Sequence, residues 1–552
     1  MEAVPAPSRF GYATGAGVLL LLQGAQTLYA MWLNRLFYAR FPPFFDSMSY
    51  TLAYANMLSL ARSAGIPAGL HAALHSGTVS LPWIFTALFS PVLPYSRAAG
   101  IWYQEFWMAV LALSVFHYLV RYRHLAPWIA FCFTLPFVSF RVVYAANGGV
   151  SDFRMDLMLY ILLGCMSVWY LATYETRSWT PWAWSGLFLL LAVLNRATAP
   201  VYILAMFAPV LGARIPAGRE GSVAPRLALF WLPPAALAAA QLASNYAALH
   251  YYYFEWGVDP NANLPLWKAA MHIPLAGWSI GLPLTLVCVP ALLAALRTGG
   301  VRQADWKILW LGSAPVLLLV LRGAGLNPYV SMPAVFGWLL FCLLPLRGPL
   351  ALPPLWQRRF AWFLAAACAV NAADGIRLHV HPPGIGPAAS AVRTAIERMH
   401  DDALAHGRHT AAFATTHILD VEEEVFRNML VFDYGVRPRE GGQYPYRGVS
   451  FSSSHNELFT AAVPLIWERG LPGRTDDEKL AALAALAEKD IDYLVIPSEA
   501  TIDWLERNHP DQFINTKTRE LKRRLLASGR WEPLGAPLTA SAIETVTLYR
   551  KR

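Results

Sequence analysis

The chain has 552 residues, of which 56% are apolar and only 14% charged, with a formal net charge of +9. A soluble domain carries about twice that charged share, and mean hydropathy here is positive at +0.37. The composition therefore excludes a wholly soluble protein and indicates a polytopic membrane protein. The basic residues flank apolar runs, which accounts for the net charge without nucleic acid as a partner.

Residues 1–12 are short and nearly uncharged, so no cleavable signal is expected, and the run that follows, 13–34, is long enough to span. Further spans are predicted near 99–120, 125–145, 155–173, 227–249, 275–296, 307–323, 331–346 and 359–373. Residues 182–213 are too many for one span of about 20 residues and too few for two full ones, with Asn195-Arg196 near the middle, so two short helices are predicted. Counting them as a pair puts Arg121/Arg123, Arg214/Arg219/Arg226, Arg297/Arg302/Lys307 and Arg347/Arg358/Arg359 on one side, the cytoplasmic one by the positive-inside rule. The expectation is an α-helical polytopic membrane protein of about 11 spans. Residues 1–373 form the membrane domain and 374–552 an extracytoplasmic soluble α/β domain. Cys132, Cys165, Cys288, Cys342 and Cys368 all fall in apolar runs and read as small buried hydrophobes.

The first outward loop opens with Phe44-Phe45-Asp46-Ser47-Met48-Ser49-Tyr50, and the stretches 47–62 and 81–93 read as helices lying in the membrane interface. Asp46 follows Pro42-Pro43 and suits a helix N-cap, a role compatible with chemistry because a cap fixes its carboxylate. An acid at a membrane boundary is costly and tends to mark a substrate or ion site. The second outward loop reads Gly148-Gly149-Val150-Ser151-Asp152-Phe153-Arg154-Met155-Asp156. If helix begins near Ser151, Asp152 and Asp156 share one face, and that pair either binds a divalent cation, orients a basic partner or complements the helix dipole.

With these two acid loops and the stretch from Gly186 through Asn195-Arg196 and Thr198 to Pro200, the chain resembles the GT-C superfamily of integral-membrane glycosyltransferases, of the protein O-mannosyltransferase and aminoarabinose transferase type. The resemblance implies transfer of a sugar from a polyprenyl-phosphate donor to a glycan, lipid or protein acceptor on the extracytoplasmic face of the bacterial inner membrane, usually with inversion. Many members carry two adjacent acids in the first loop, whereas Ser47 follows Asp46 here, which leaves metal dependence open. An acceptor hydroxyl needs a base, and Asp46 is the candidate. The leaving phosphate needs cations, for which Arg196, Lys268, His272 and Arg322 are candidates. Tyr251–Tyr253 and Trp256 either stack on sugar or belong to the interfacial aromatic belt, and His71 and His75 are spaced as a ligand pair but equally as an ordinary helical pair.

In the C-terminal part, Thr475-Asp-Asp-Glu478 predicts a capping box, with Leu480, Leu483 and Leu486 inward on the helix it opens. Strands are expected at 410–416, 491–496 and 545–549, giving a small α/β layer. No phosphate-binding loop or nucleotide fingerprint is present in this part, which argues against a nucleotide-sugar donor there. A transporter or flippase for a lipid or small anion is the competing class; it calls for acids and broken helices near the midplane in two matching halves, whereas here the acids cluster in the outward loops and a soluble domain follows.

Overall fold

The computed structural model describes residues 9–38, 45–76, 80–139, 155–196, 198–214, 223–244, 303–322, 332–346, 353–380, 388–408, 410–417, 419–434, 437–439, 450–452, 459–465, 475–508 and 513–552, with the single positions 153, 246 and 250. The helices are α1 Arg9–Tyr38, α2 Phe45–Ser63, α3 Ile66–Leu74, α4 Leu81–Leu88, α5 Ala99–His117, α6 Pro127–Val138, α7 Met155–Ala172, α8 Thr180–Asn195, α9 Ala199–Arg214, α10 Val223–Phe230, α11 Leu232–Ser244, α12 Gln303–Arg322, α13 Met332–Leu340 and α14 Pro354–Val380. They continue as α15 Ala388–Ala405, α16 Glu423–Phe432, α17 Asp476–Asp490, α18 Glu499–Asn508 and α19 Phe513–Ala527. The chain divides into two compact units, the first made of Met1–Met31, His71–Phe85 and Ala98–His381, the second of Trp32–Leu70, Thr86–Arg97 and Pro382–Arg552. Position 373 falls within α14, which runs on to Val380.

In the first unit, α7 is apolar on every side and buried along almost its whole length, the pattern of a helix inside a bundle rather than on its surface. It packs against α5, α8 and α13. Among the described residues, Ala99–Tyr122, Met155–Ala172 and Val223–Ser244 are long and apolar enough to cross a membrane, and shorter apolar helices accompany them. The expected span at 275–296 lies outside the described residues. The run 182–213 forms two helices, α8 and α9, which meet at Arg196. Close helix approach has a local cause at Gly312 of α12 and Gly337 of α13. A Cβ on Gly312 would sit 2.7 Å from the Gly337 carbonyl oxygen, so only the smallest residue admits the contact. At the turn Thr173–Trp179, Arg214 donates to Thr173 Oγ1 at 2.7 Å, Arg226 to the Arg177 carbonyl at 2.6 Å, and Arg123 lies 3.5 Å from Glu175. Lys307 stands over the Tyr174 ring. These four basic residues, which the positive-inside argument groups together, thus converge on one turn.

The second unit is built on an eight-stranded mixed sheet in the order β2-β3-β4-β1-β5-β8-β6, with β7 also paired to β8. The strands are β1 Ala411–Thr415, β2 Arg437–Arg439, β3 Ser450–Ser452, β4 Phe459–Pro464, β5 Tyr493–Pro497, β6 Trp531–Pro533, β7 Leu538–Thr539 and β8 Thr545–Lys551. β1 runs parallel to both β4 and β5, and the remaining pairs are antiparallel. β1 and β5 are buried at every residue, as strands covered on both faces must be. Their side chains divide by the two-residue period of a strand. Ala411, Phe413, Tyr493 and Val495 join the core formed with α15 and α16, whereas Ala412, Ala414, Leu494 and Ile496 join Leu480, Leu483, Leu521 and Leu525 of α17 and α19. The capping box at the start of α17 is present as expected, with Thr475 accepting from the Glu478 amide and Glu478 reaching back to the Thr475 amide.

Most of the long first loop, Trp32–Leu70 and Thr86–Arg97, belongs to this second unit, and His71–Phe85 belongs to the first. Leu52 and Ala55 of α2 are buried in the core with α15 and α16, so α2 spends its apolar face on protein. Tyr54 donates to the Pro94 carbonyl at 2.6 Å, and Arg62 donates to the carbonyls of Ser90 and Leu93 at 2.9 and 2.6 Å. Arg97 then grips the end of α16: its guanidinium donates to Asn428 Oδ1 at 2.5 Å and, as a fork, to the two Asp433 carboxylate oxygens at 2.7 and 3.0 Å. A bidentate, largely desolvated arginine contact of this kind contributes about 2 kcal/mol. Arg97→Ala is therefore expected to speed hydrogen exchange at the C-terminal amides of α16 by roughly thirty-fold, with little change at β8; unchanged exchange at α16 would show that the clamp is not stabilising.

Candidate active site

The break between α8 and α9 places the first unit's polar pair. At its C-terminal end α8 stops because Arg196 adopts extended backbone, φ −156° and ψ 136°, while its amide still closes on the Ala192 carbonyl. Two neighbouring contacts hold the break. The fully buried Asn195 side chain donates to the Met155 carbonyl at 3.1 Å, and the Leu194 carbonyl accepts from the Ser80 amide at 2.9 Å. Arg196 is thereby aimed at the first turn of α7, where its Nη1 lies 2.5 Å from Asp156 Oδ2. Asp156 is 7% exposed, so its carboxylate is largely removed from water beside the guanidinium.

Of the residues singled out in the sequence, the structure brings Asp156 and Arg196 together. In the structure Asp156 lies beside a basic residue, Arg196. Helix α7 begins at Met155 rather than near Ser151, and Asp152 lies outside the described residues. Lys268, His272, Tyr251–Tyr253 and Trp256 also lie outside them. Arg322 is the last residue of α12. Asp46 is in the second unit, as the second residue of α2; the helix opens at Phe45, so Asp46 sits inside the first turn instead of preceding it. At that place a carboxylate-bearing residue is favoured by the positive end of the helix dipole. His71 and His75 share α3 and its end, with rings stacked 4.3 Å apart and His75 Nδ1 2.8 Å from the His71 carbonyl, a local helical pair. Among the described residues, no group of three or more His, Cys, Asp or Glu side chains is arranged to hold a metal ion.

Two polar sites escape the sequence reading. Glu105, 2% exposed inside α5, is hydrogen-bonded to Gln23 of α1; its only signal was an acid within an apolar run. In the second unit, just past β1, His417 and Glu544 are both fully buried with Nε2 and Oε1 2.6 Å apart. The residues are 127 positions apart in sequence, which is why no local motif announces them. Burial, reinforced by Glu544 and opposed by His417, pushes the nearby Asp420 carboxyl up to about 6, and burial also drives Glu422 well above the ordinary range.

The sequence matches no family model and no curated protein. Its structure matches solved ones over nearly the whole length. It is similar to ArnT from Cupriavidus metallidurans in the apo state, with a TM-score of 0.54 at 10% identity over 97% of this chain and 98% of that one. It is likewise similar to ArnT from Cupriavidus metallidurans bound to undecaprenyl phosphate, with a TM-score of 0.51 at 9% identity over 96% and 97%. Arabinofuranosyltransferase AftD from Mycobacteria matches with a TM-score of 0.45 at 16% identity, over 99% of this chain and 40% of AftD. The chain thus has the GT-C membrane fold, helical with a small C-terminal sheet region, as the resemblance in its sequence leads one to expect.

Asp420 provides a pH test of the second unit. Its folded pKa of about 6 lies above the unfolded value, so it is neutral in both states at low pH and its ionisation penalises the fold as pH rises from about 4 through 6. Allowing for its partial exposure, Asp420→Asn is expected to stabilise the sheet by about 1–2 kcal/mol at pH 7.5 and by nothing below about pH 4. Hydrogen exchange of the β1 amides reads this directly, and faster exchange in the variant at pH 7.5 would contradict it.

Proposed function

We propose that this chain is a membrane glycosyltransferase that moves a sugar from a polyprenyl-phosphate-linked donor to a cell-envelope acceptor hydroxyl on the extracytoplasmic face, with inversion at the anomeric carbon. The observation that carries the reading is the fold shared, over nearly the full length of both chains, with an ArnT that was solved bound to undecaprenyl phosphate. The pair Asp156–Arg196 supports it chemically, because it places a guanidinium, a cation whose fork suits phosphate, at the first turn of α7.

In this reaction the acceptor oxygen attacks the anomeric carbon, the bond from that carbon to the phosphate oxygen breaks, and polyprenyl phosphate leaves with the electron pair. Asp46 takes the acceptor proton as the bond forms, since a hydroxyl is a weak nucleophile near neutral pH. Arg196, with Lys268, His272 and Arg322 as further cationic candidates, meets the charge that grows on the leaving phosphate. The roles of Asp152 and of any divalent cation belong to the same proposal and are separable by assay. The C-terminal α/β layer lies outside the cell in this reading, on the side of the two acid loops.

Purified protein incubated with a panel of labelled polyprenyl-phosphate sugars is expected to transfer or hydrolyse one of them. Asp46→Asn keeps the side chain's shape and should lower turnover by roughly a hundred-fold or more while leaving donor binding intact. Turnover by Asp46→Asn close to wild type would remove Asp46 from the base role, and inertness of the wild type towards the whole panel would count against the donor class.

A further inference from the structure

A second cationic site lies at the other end of the same helices. Asp156 is the second residue of α7 and Thr173 follows its last, so at 1.5 Å per residue the two are separated by about 26 Å, close to the thickness of a bilayer core. At this far end Lys307 is 6% exposed with Nζ 3.1 Å from the centre of the Tyr174 ring, and Arg214 Cζ lies 3.8 Å from the same ring and 4.9 Å from that of Trp182. The Lys307 ammonium and the Arg214 guanidinium thus share one ring, with Arg214 also donating to Thr173. Arg226 is also 6% exposed, and its guanidinium stands 5.4 Å from the Trp179 ring. One of its nitrogens donates to the Arg177 carbonyl, but Nε is buried with no hydrogen-bond partner among the described residues. Burying a cationic donor without an acceptor is costly, and an anion arriving there relieves it.

The surroundings select the kind of anion. Trp179 and Trp184 at the start of α8 are 48% and 41% exposed, the position of interfacial aromatics, and Leu187 and Leu204 present exposed apolar surface further along α8 and α9. A phosphate tethered to acyl chains satisfies both the cations and that surface, whereas a soluble phosphate satisfies only the cations.

We propose that Lys307, Arg214 and Arg226 bind the phosphate of an anionic phospholipid at the membrane face opposite Asp156 and Arg196. Each basic residue near a membrane surface contributes about a five-fold preference for anionic lipid. The site is independent of the transferase reading, because lipid retention needs no sugar donor.

The full-length protein in neutral detergent, offered equal phosphatidylglycerol and phosphatidylcholine, is expected to retain the former in native mass spectrometry. Lys307→Gln with Arg226→Gln should reduce the preference about twenty-fold, and either change alone about five-fold. Lys307→Arg with Arg226→Lys should keep the preference, as should Arg523→Gln at an exposed position of α19 in the second unit. No preference in wild type, or a preference that survives the double neutralisation in a folded protein, overturns the proposal. Displacement of the lipid by millimolar inorganic phosphate would assign the site to a soluble phosphate and overturn it equally.

Discussion

The burial of α2 in the core of the second unit is the contact on which the placement of the first-loop acid depends. A 19-residue helix between two apolar segments has no intrinsic address, since its apolar side chains would be satisfied by lipid as well as by protein. Here Leu52 and Ala55 are committed to the core shared with α15, α16 and β1. The hydrogen bonds from Tyr54, Arg62 and Arg97 are directional, and they fix the segment after α2 against both α2 itself and the end of α16. The backbone of Asp46 therefore belongs to a helix that packs into the α/β layer.

Asp156 and Arg196 show the same economy of means in the first unit. A helical hairpin within a membrane exposes unsatisfied backbone groups at its break, and each needs a partner. Asn195 and Ser80 provide partners for the backbone, and Arg196 lies along Asp156. A pair this little exposed gains less from its Coulomb attraction than it loses in hydration unless something else uses the charge.

Much of this was legible in the sequence, for physical reasons that differ from part to part. The double helix at 182–213 followed from length against bilayer thickness, and the capping box at Thr475 from a local pattern with one geometric solution. The partnership of Asp156 with Arg196 was not legible: each residue was marked as a candidate, but 40 positions separate them and only the packing of α7 on α8 joins them. The integration of α2 with the sheet was hidden for the same reason, since its apolar residues are equally suited to an interface. His417 with Glu544, and the cations around Tyr174, are contacts of tertiary origin that no periodicity announces.

The most direct measurement is the affinity of the purified protein for a polyprenyl phosphate, compared among wild type, Asp156→Asn and Arg196→Gln. A charge-assisted contact to phosphate contributes about 1.5–3 kcal/mol, so Arg196→Gln is predicted to weaken binding by roughly ten- to a hundred-fold. Asp156→Asn keeps the guanidinium and releases it from its counter-charge, so binding should hold or tighten. Equal affinity in wild type and a folded Arg196→Gln would contradict the account, because the cation that the break in the helices presents would then have no part in holding the donor.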